Sequence, residues 1–136
     1  MSEFIKREFD ASIDKLPEVL EFVEGEMERA ECPMKVVIQV NIALEEIFVN
    51  VAHYAYADGN GKVNVGVKIE DGCISVRLED EGIPFDPLDH PDPDLTLSAE
   101  ERGIGGLGIL MVKKSMDSVS YSYEDGKNVL MFTKNF

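Results

Sequence analysis

Two polar side chains lie one helical turn apart in an apolar stretch of the sequence. Glu46 and Asn50 are four positions apart, within the run from Val36 to Val51 that consists mostly of Val, Ile, Leu, Ala and Phe. Residues at i and i+4 lie on the same face of a helix. Burying a carboxylate and a carboxamide costs free energy unless each has a partner. The pair therefore raises the question of a ligand or a metal ion.

The chemistry open to this pair depends on what the helix face contacts. The carbonyl oxygen of Asn50 suits a hard cation such as Mg²⁺, and Glu46 could orient or deprotonate a nucleophile. Gln39, Ala43, Glu46, Asn50 and His53 form one narrow stripe, because their spacing nearly repeats the helical period. Two interpretations remain: the stripe is the solvent-exposed polar face of a helix, or it lines a pocket.

Asp80 is a second candidate site residue, because it follows an alternating segment at the point where a strand should end. An Asp at the floor of a pocket can accept a hydrogen bond from an exocyclic amine such as that of adenine. Gly82 would allow close backbone approach. An ordinary acidic turn stabilised by Asp and Gly explains the segment equally simply, and the segment taken alone favours that explanation.

A glycine-rich segment, from Arg102 to Ile109, precedes a short apolar stretch. Glycines let backbone N–H groups point at an anion, and a helix N-terminus adds a positive end. The segment lacks the Gly-Lys-Ser/Thr ending of a Walker A loop, and it does not follow a strand of a βαβ unit. A phosphate-binding loop of another kind is the chemistry that remains.

Hydrophobic periodicity predicts the elements that would position these residues. The chain is expected to begin with an edge strand near Glu3–Phe9, followed by a helix capped by Ser12 or Asp14 with Pro17 in its first turn, and by a second helix from about Met34 to about Tyr56. A hairpin of Lys62–Glu70 and Cys73–Asp80 should come next, and then a long loop from Gly82 to Glu101. A short helix at Ile109–Met116 and a hairpin of Ser118–Tyr123 and Asn128–Thr133 should complete the order. This order predicts an α+β fold, a two-layer α/β sandwich whose mostly antiparallel mixed sheet carries helices on one face.

Composition limits the class of protein. The 136 residues suit a single domain, 1–136. A net charge of −14 argues against direct contact with nucleic acid and favours a basic protein surface as partner. No apolar run approaches the roughly 20 residues of a membrane span, and no signal peptide is evident, so we expect a cytoplasmic protein without membrane contact. Cys32 and Cys73 have no metal-site spacing and are expected to be reduced.

Taken together, the order and spacing of the motifs are specific. A helix with Glu-x-x-x-Asn, a hairpin ending in Asp-x-Gly-x-Pro-Phe-Asp-Pro, and Gly-Gly-Leu-Gly-Ile opening a helix resemble the GHKL (Bergerat-fold) ATPases. Within that superfamily the chain is most similar to the small bacterial anti-sigma factor serine/threonine kinases. The endings Met116–Tyr121 and Gly126–Leu130 are also similar to that family, so the resemblance covers nearly the whole chain.

The resemblance implies roles for the residues of the second helix and of the hairpin end. Asn50 would coordinate Mg²⁺ that bridges the ATP phosphates, and Glu46 would be the catalytic base. Asp80 would hold the adenine amino group, with Gly82 beside the base. One position departs from the family pattern: Tyr54 stands where the family usually has His, and a histidine precedes it.

The resemblance also implies a phosphate-binding segment. The ATP lid would run from about residue 88 to 103, where Arg102 could reach a phosphate and Gly103 would belong to the nucleotide site. Gly105, Gly106, Leu107 and Gly108 would supply backbone that faces the phosphates.

Three functions follow from these observations. The first is an ATP- and Mg²⁺-dependent serine/threonine protein kinase that acts as an anti-sigma factor in bacterial transcription regulation and phosphorylates a STAS-type antagonist. A sigma factor would be its other partner, and a homodimer is compatible with the resemblance because related kinases dimerise. The second is an ATP-binding regulatory module with little or no kinase activity. The third is an interaction protein whose glycine segment is only a connection.

Overall fold

The computed structural model describes residues 3–56, 61–88 and 106–136, with the backbone alone at residues 106 and 107. The strands are β1 (Ile5–Asp10), β2 (Lys62–Glu70), β3 (Cys73–Asp80), β4 (Ser118–Glu124) and β5 (Lys127–Asn135), and the helices are α1 (Leu16–Arg29), α2 (Met34–Tyr54) and α3 (Gly106–Ser115). The second helix and both hairpins begin and end within two residues of the expected bounds. Helix α3 begins earlier than predicted, at the second glycine of the Gly-Gly pair.

The five strands form one antiparallel sheet in the order β1-β2-β3-β5-β4. Two Asp-Gly pairs turn the hairpins: φ is 51° and 71° at Asp71 and Gly72, and 52° and 77° at Asp125 and Gly126. Two consecutive residues with positive φ are the requirement of a type I′ turn, which matches the twist of the strands. Both predicted hairpins are therefore confirmed.

The core lies between the helices and one face of the sheet. Alternate strand residues point to that face, as a half-buried antiparallel sheet requires. The fully or almost fully buried side chains come from α1 (Val19, Val23, Met27), α2 (Val40, Leu44, Ile47, Phe48), and the strands (Val63, Val65, Ile74, Val76, Leu78, Phe132). The predicted two-layer α+β architecture is confirmed.

The N-terminal turn differs slightly from the prediction. Ser12 rather than Asp14 acts as the cap, and its hydroxyl oxygen accepts a hydrogen bond from the Asp14 N–H at 3.4 Å. This cap begins a short 3₁₀ turn, Ile13–Lys15, and α1 starts directly after it with Pro17 in its first turn. A proline there leaves no helical hydrogen bond unmade.

Helix α2 is apolar enough, over its 21 residues, to pass as a membrane span by length and composition, a test that the core helices of soluble folds also pass. Val40, Leu44 and Phe48 are fully buried, so one face of α2 packs in the core. The opposite face leaves Met34 and Ile38 71% and 52% exposed. The apolar composition of α2 thus serves packing on one side, and an uncovered apolar face remains on the other.

The C-terminal end of α2 is tied to the strands that follow it. The Tyr56 hydroxyl donates to the carbonyl of Lys62 at 2.6 Å and accepts from the N–H of Glu81 at 2.9 Å. The Ala55 carbonyl accepts from the N–H of Ile83 at 2.8 Å. Because Tyr56 leaves the helix to make these contacts, α2 ends at Tyr54 rather than near Tyr56.

Candidate functional site

A cavity lies between the C-terminal half of α2 and the facing ends of β3 and β5. Its lining is Ile47, Asn50, Val51, Ala55, Leu78, Asp80, Phe85, Pro87, Tyr121, Asn128 and Leu130. Most of these side chains are apolar, with a few convergent polar groups, which is the usual make-up of a small-molecule site. The cavity volume is about 30 Å³, enough for water but too small for a purine base. A nucleotide base therefore requires the cavity to widen.

Asn50 lies in the wall of this cavity, and Glu46 lies one turn before it on α2. The Asn50 Nδ2 donates to the Glu46 backbone carbonyl at 2.8 Å. This hydrogen bond fixes the amide orientation, because only the nitrogen can donate to a carbonyl. Among the described residues, the hydrogen bond of the Asn50 side chain is made by its Nδ2, so the Oδ1 is left as an oxygen ligand at the cavity wall.

The polar stripe of α2 is not uniformly exposed to solvent. Ala43 is fully buried, Glu46 and Asn50 are half-buried, and His53 is exposed. Of the two interpretations, the pocket fits Asn50, which lines the cavity, and solvent exposure fits His53.

The Glu46 carboxylate packs against the first turn of α3. A methyl group added at Gly108 would overlap the Glu46 carboxylate oxygens, so glycine leaves the space that this side chain fills. Free backbone N–H groups and the positive end of the helix dipole attract a carboxylate to a helix N-terminus. Two motifs far apart in sequence, the Glu-Asn pair and the glycine segment, are thereby in contact.

Asp80 is the buried polar group at the floor of the cavity, with 6% of its surface exposed. Its Oδ1 accepts from the Asn128 Nδ2 and from the Gly82 N–H, both at 2.9 Å. Among the described residues, both hydrogen bonds of the carboxylate fall on the Oδ1, which leaves the Oδ2 as the second acceptor. Burial raises the pKa of Asp80 above its ordinary value, and the hydrogen bonds from Asn128 and Gly82 offset part of that rise.

Position 82 requires glycine because another part of the backbone passes close to it, and not because its φ is positive. A Cβ at this position would overlap the Ala55 carbonyl at the end of α2. The sequence predicts a close backbone approach here, and the structure supplies one within the protein. Its place beside a nucleotide base stays a prediction.

Asn128 is a site residue that the local sequence pattern does not single out. It is 5% exposed and lies directly opposite Asp80 in the register of β3 and β5. One signal could have identified it: Asn128 shares the buried face of β5 with Leu130 and Phe132, so a polar residue stands at a buried position. Using that signal requires knowing which strand is the neighbour of β5.

An aromatic pair joins the end of α2 to the cavity wall. Tyr54 stacks on Phe85 with ring centroids 5.3 Å apart and 30° between the planes. Phe85 lines the cavity, whereas Tyr54 is 43% exposed. The position where the resemblance expects His therefore carries an aromatic contact to the segment after β3.

Part of the predicted phosphate site cannot be placed. Arg102, Gly103 and Gly105, with the lid beyond Leu88, lie outside the described residues. Gly106 and Leu107 begin α3, and Gly108 contacts Glu46. None of the described residues that line the cavity is basic, so within the described part of the chain the cavity wall supplies no side-chain cation for a phosphate.

Comparison with known proteins agrees with this geometry. The model of the histidine kinase-like ATPase domain matches residues 9–134, nearly the whole chain. The chain belongs to this family. This match confirms the sequence-based resemblance to the GHKL ATPases.

Curated relatives of this chain include a serine-protein kinase and an anti-sigma factor, in agreement with the predicted resemblance to the anti-sigma factor kinases. The serine-protein kinase RsbW of Listeria monocytogenes serovar 1/2a is 28% identical over 114 residues, covering 80% of this chain and 73% of the relative. The anti-sigma F factor of Geobacillus sp. (strain WCH70) is 25% identical over 99 residues, covering 72% of this chain and 68% of the relative.

Solved structures agree on the fold of the domain. The RsbU and RsbW domains of Rv1364c from Mycobacterium tuberculosis match with a TM-score of 0.63 at 13% identity, over 96% of this chain and 32% of that chain. The catalytic domain of histidine kinase ThkA matches with a TM-score of 0.56 at 14% identity, over 98% and 97% of the two chains. This chain spans about a third of the mycobacterial chain.

Proposed function

We propose that this protein is a cytoplasmic, ATP-dependent serine/threonine protein kinase that acts as an anti-sigma factor or partner-switching regulator. The observation that carries the proposal is the convergence of three separate motifs. Asn50 and Asp80 line one cavity, and Glu46, one turn from Asn50, packs against α3. The names of the curated relatives, a serine-protein kinase and an anti-sigma factor, support the same function.

The adenine base would bind at the floor of the cavity. The Asp80 Oδ2 is an acceptor without a described hydrogen bond, and an adenine amino group is a donor. Apolar side chains such as Ile47, Leu78 and Leu130 would contact the faces of the base. Gly82 would lie beside it.

The residues present fit a single Mg²⁺ held mostly by the nucleotide. Asn50 offers one amide oxygen, and the described residues contain no cluster of three or more His, Cys, Asp or Glu side chains. Magnesium in phosphate sites is usually bound through one or two protein oxygens together with phosphates and water. The ion would neutralise phosphate charge, which the cavity lining lacks basic residues to do.

Glu46 would act as the catalytic base toward the seryl hydroxyl. Phosphoryl transfer depends mainly on positioning and on charge stabilisation, with a base to accept the hydroxyl proton. Backbone N–H groups of Gly105, Gly106, Leu107 and Gly108 would face the phosphates, with Arg102 and Gly103 contributing from the end of the lid, about 88–103.

The protein substrate would be a serine on a STAS-type antagonist, and a sigma factor would be the alternative partner. Phosphorylation would then determine which of the two partners the kinase binds. The net charge of −14 favours partners with basic surfaces. A homodimer is the assembly we would expect.

A regulatory module that binds ATP without phosphoryl transfer is the alternative. The position of Glu46 favours it in one respect. Its carboxylate packs on Gly108, so Glu46 would also serve by bracing α3 without touching a substrate.

Phosphoryl transfer to a panel of STAS-domain antagonists from the same genome separates the two functions. Glu46→Gln should lower transfer by about 10²- to 10⁴-fold, the usual effect of losing a general base, while Mg-ATP affinity stays close to that of the wild type. Glu45→Gln is the matched control, because Glu45 is the exposed neighbour with the same side chain. A wild type that binds Mg-ATP and phosphorylates no member of the panel would favour the regulatory module.

A further inference from the structure

The hydrogen bonds of Asn128 join the three segments that meet at the cavity floor. Its Nδ2 donates to the Asp80 Oδ1 at 2.9 Å and to the Ile83 carbonyl at 2.8 Å. Its Oδ1 accepts from the Phe85 N–H at 3.1 Å and from the Tyr121 hydroxyl. One side chain thus links the end of β3, the segment after it, and β4.

The chemistry of its neighbours permits only one orientation of the Asn128 amide. A carboxylate and a carbonyl lie on one side, and both are acceptors. A backbone N–H and a hydroxyl lie on the other side, and both donate. Rotating the amide by half a turn would place its oxygen against the two acceptors, so the nitrogen must face Asp80.

These contacts use the full hydrogen-bonding capacity of Asn128. An amide has two N–H donors and two lone pairs, and each has a partner here. Although Asn128 lines the cavity, it keeps no polar group with which it could form a hydrogen bond to a ligand. Any polar effect that it has on a bound molecule must pass through Asp80, through the segment that carries Ile83 and Phe85, or through Tyr121.

We infer that Asn128 is a positioning residue that sets adenine selectivity, by holding the Oδ1 of Asp80 so that the Oδ2 is presented to the 6-amino group of the base. Gly82 supplies the second N–H to the Oδ1. Two donors on one oxygen stabilise the ionised carboxylate, which can only accept. This inference rests on the proposed nucleotide site, and it adds a residue that acts on the base only through Asp80.

The test compares Mg-ATP with the Mg-bound triphosphate of purine riboside, which lacks the 6-amino group. In the wild type, loss of this group should weaken binding on the order of 10- to 100-fold, the usual effect of removing a hydrogen bond to a charged acceptor. In Asn128→Ala and Asn128→Val the ratio of the two affinities should fall below about threefold. Val is included because it retains a strand-favouring side chain.

The matched control is Phe132→Leu, which removes buried volume on the same face of β5 but lies outside the cavity lining and leaves the hydrogen bonds of Asn128 in place. Its affinity ratio should stay at the wild-type value even if its stability falls. A loss of stability alone would weaken both ligands equally, so the ratio separates orientation from folding. An Asn128 variant that folds cooperatively and keeps the wild-type ratio would overturn the inference.

A measurement on the unaltered chain covers the case in which neither variant folds. The Asn128 side-chain amide protons should remain protected from solvent exchange when Mg-ATP binds, because the contacts to Asp80 and Ile83 persist. Rapid exchange in the complex would overturn the inference. A wild type that binds neither triphosphate would instead count against the proposed nucleotide site, so the two failures differ.

Discussion

The ring of Tyr54, at the end of α2, stacks on the ring of Phe85, with 5.3 Å between their centroids. This contact joins a helix to the segment after β3 that forms one wall of the cavity. We expect Tyr54→Ala to lower the free energy of unfolding by about 0.5–1.5 kcal/mol beyond the loss of buried area, as aromatic pairs do, and to weaken Mg-ATP binding. Urea denaturation and calorimetric titration measure the two effects.

Tyr54→Phe is the control, because it keeps the ring that stacks on Phe85 and removes only the hydroxyl. It should match the wild type in both measurements. If Tyr54→Ala and Tyr54→Phe had equal effects, the stacking of the two rings would contribute neither to stability nor to Mg-ATP binding.

Asp80→Asn should preserve the fold and abolish most nucleotide binding. The amide oxygen can still accept from Asn128 and Gly82, so the amide nitrogen must take the place of the Oδ2. A donor would then face the adenine amino group, and the affinity for Mg-ATP should fall by at least about tenfold. Calorimetric titration checks the loss, and retention of wild-type affinity would contradict the assignment of Asp80 to the base.

The same substitution predicts a pH dependence of stability. Burial raises the pKa of Asp80 in the folded state, so its contribution to stability is fully present below the unfolded pKa of about 3.9 and is lost as pH rises through the folded pKa. At pH 7 the ionised carboxylate therefore destabilises the free protein. Asp80→Asn should be more stable than the wild type at pH 7, and the difference should shrink toward pH 4 in urea titrations.

Gly108→Ala should separate activity from stability. The added methyl group would displace the Glu46 carboxylate, which is the flexible end of a side chain, so the fold can adjust. Alanine also favours the helix by up to about 1 kcal/mol, which offsets the displacement. We expect near wild-type stability and a loss of phosphoryl transfer comparable with that of Glu46→Gln. Unchanged transfer would mean that the position of Glu46 is not critical.

Gly82→Ala should be strongly destabilising, by about 3 kcal/mol or more. Its Cβ would overlap the Ala55 carbonyl, which is backbone and cannot swing away. Gly25→Ala provides the contrast, since Gly25 lies within α1 and a Cβ there meets no atom closer than 3.8 Å. It should stabilise the protein by up to about 1 kcal/mol. Thermal unfolding of both variants, without nucleotide, tests the pair.

The local sequence pattern was sufficient to predict most of the fold. The period of α2, the alternation of β2 and β3, and the Asp71–Gly72 turn each depend on residues close in sequence, and each element formed where the sequence predicts it. Asp80 was found for the same reason, because a strand end can be read from its own segment.

The contacts that complete the site join residues that are distant in sequence. Asn128 could not be assigned without the pairing of β3 with β5, and Gly82 needs its glycine because of Ala55 in another element. The uncovered apolar face around Ile38 was also not expected, since a helix period alone does not reveal which face another element covers. The hydrophobic periodicity of a segment predicts whether it is a helix or a strand, but it does not predict which other element packs against it.

The partnership of Asp80 and Asn128, 48 residues apart in the chain, has a consequence for biosynthesis. Contacts of such separation form late, because a long loop must close before they are made. A nascent chain that has not yet extended through β5 lacks Asn128, the side chain that donates to the Asp80 Oδ1. If ATP binds at Asp80 as proposed, it would stabilise the nascent chain only after the hairpin of β4 and β5 has left the ribosome.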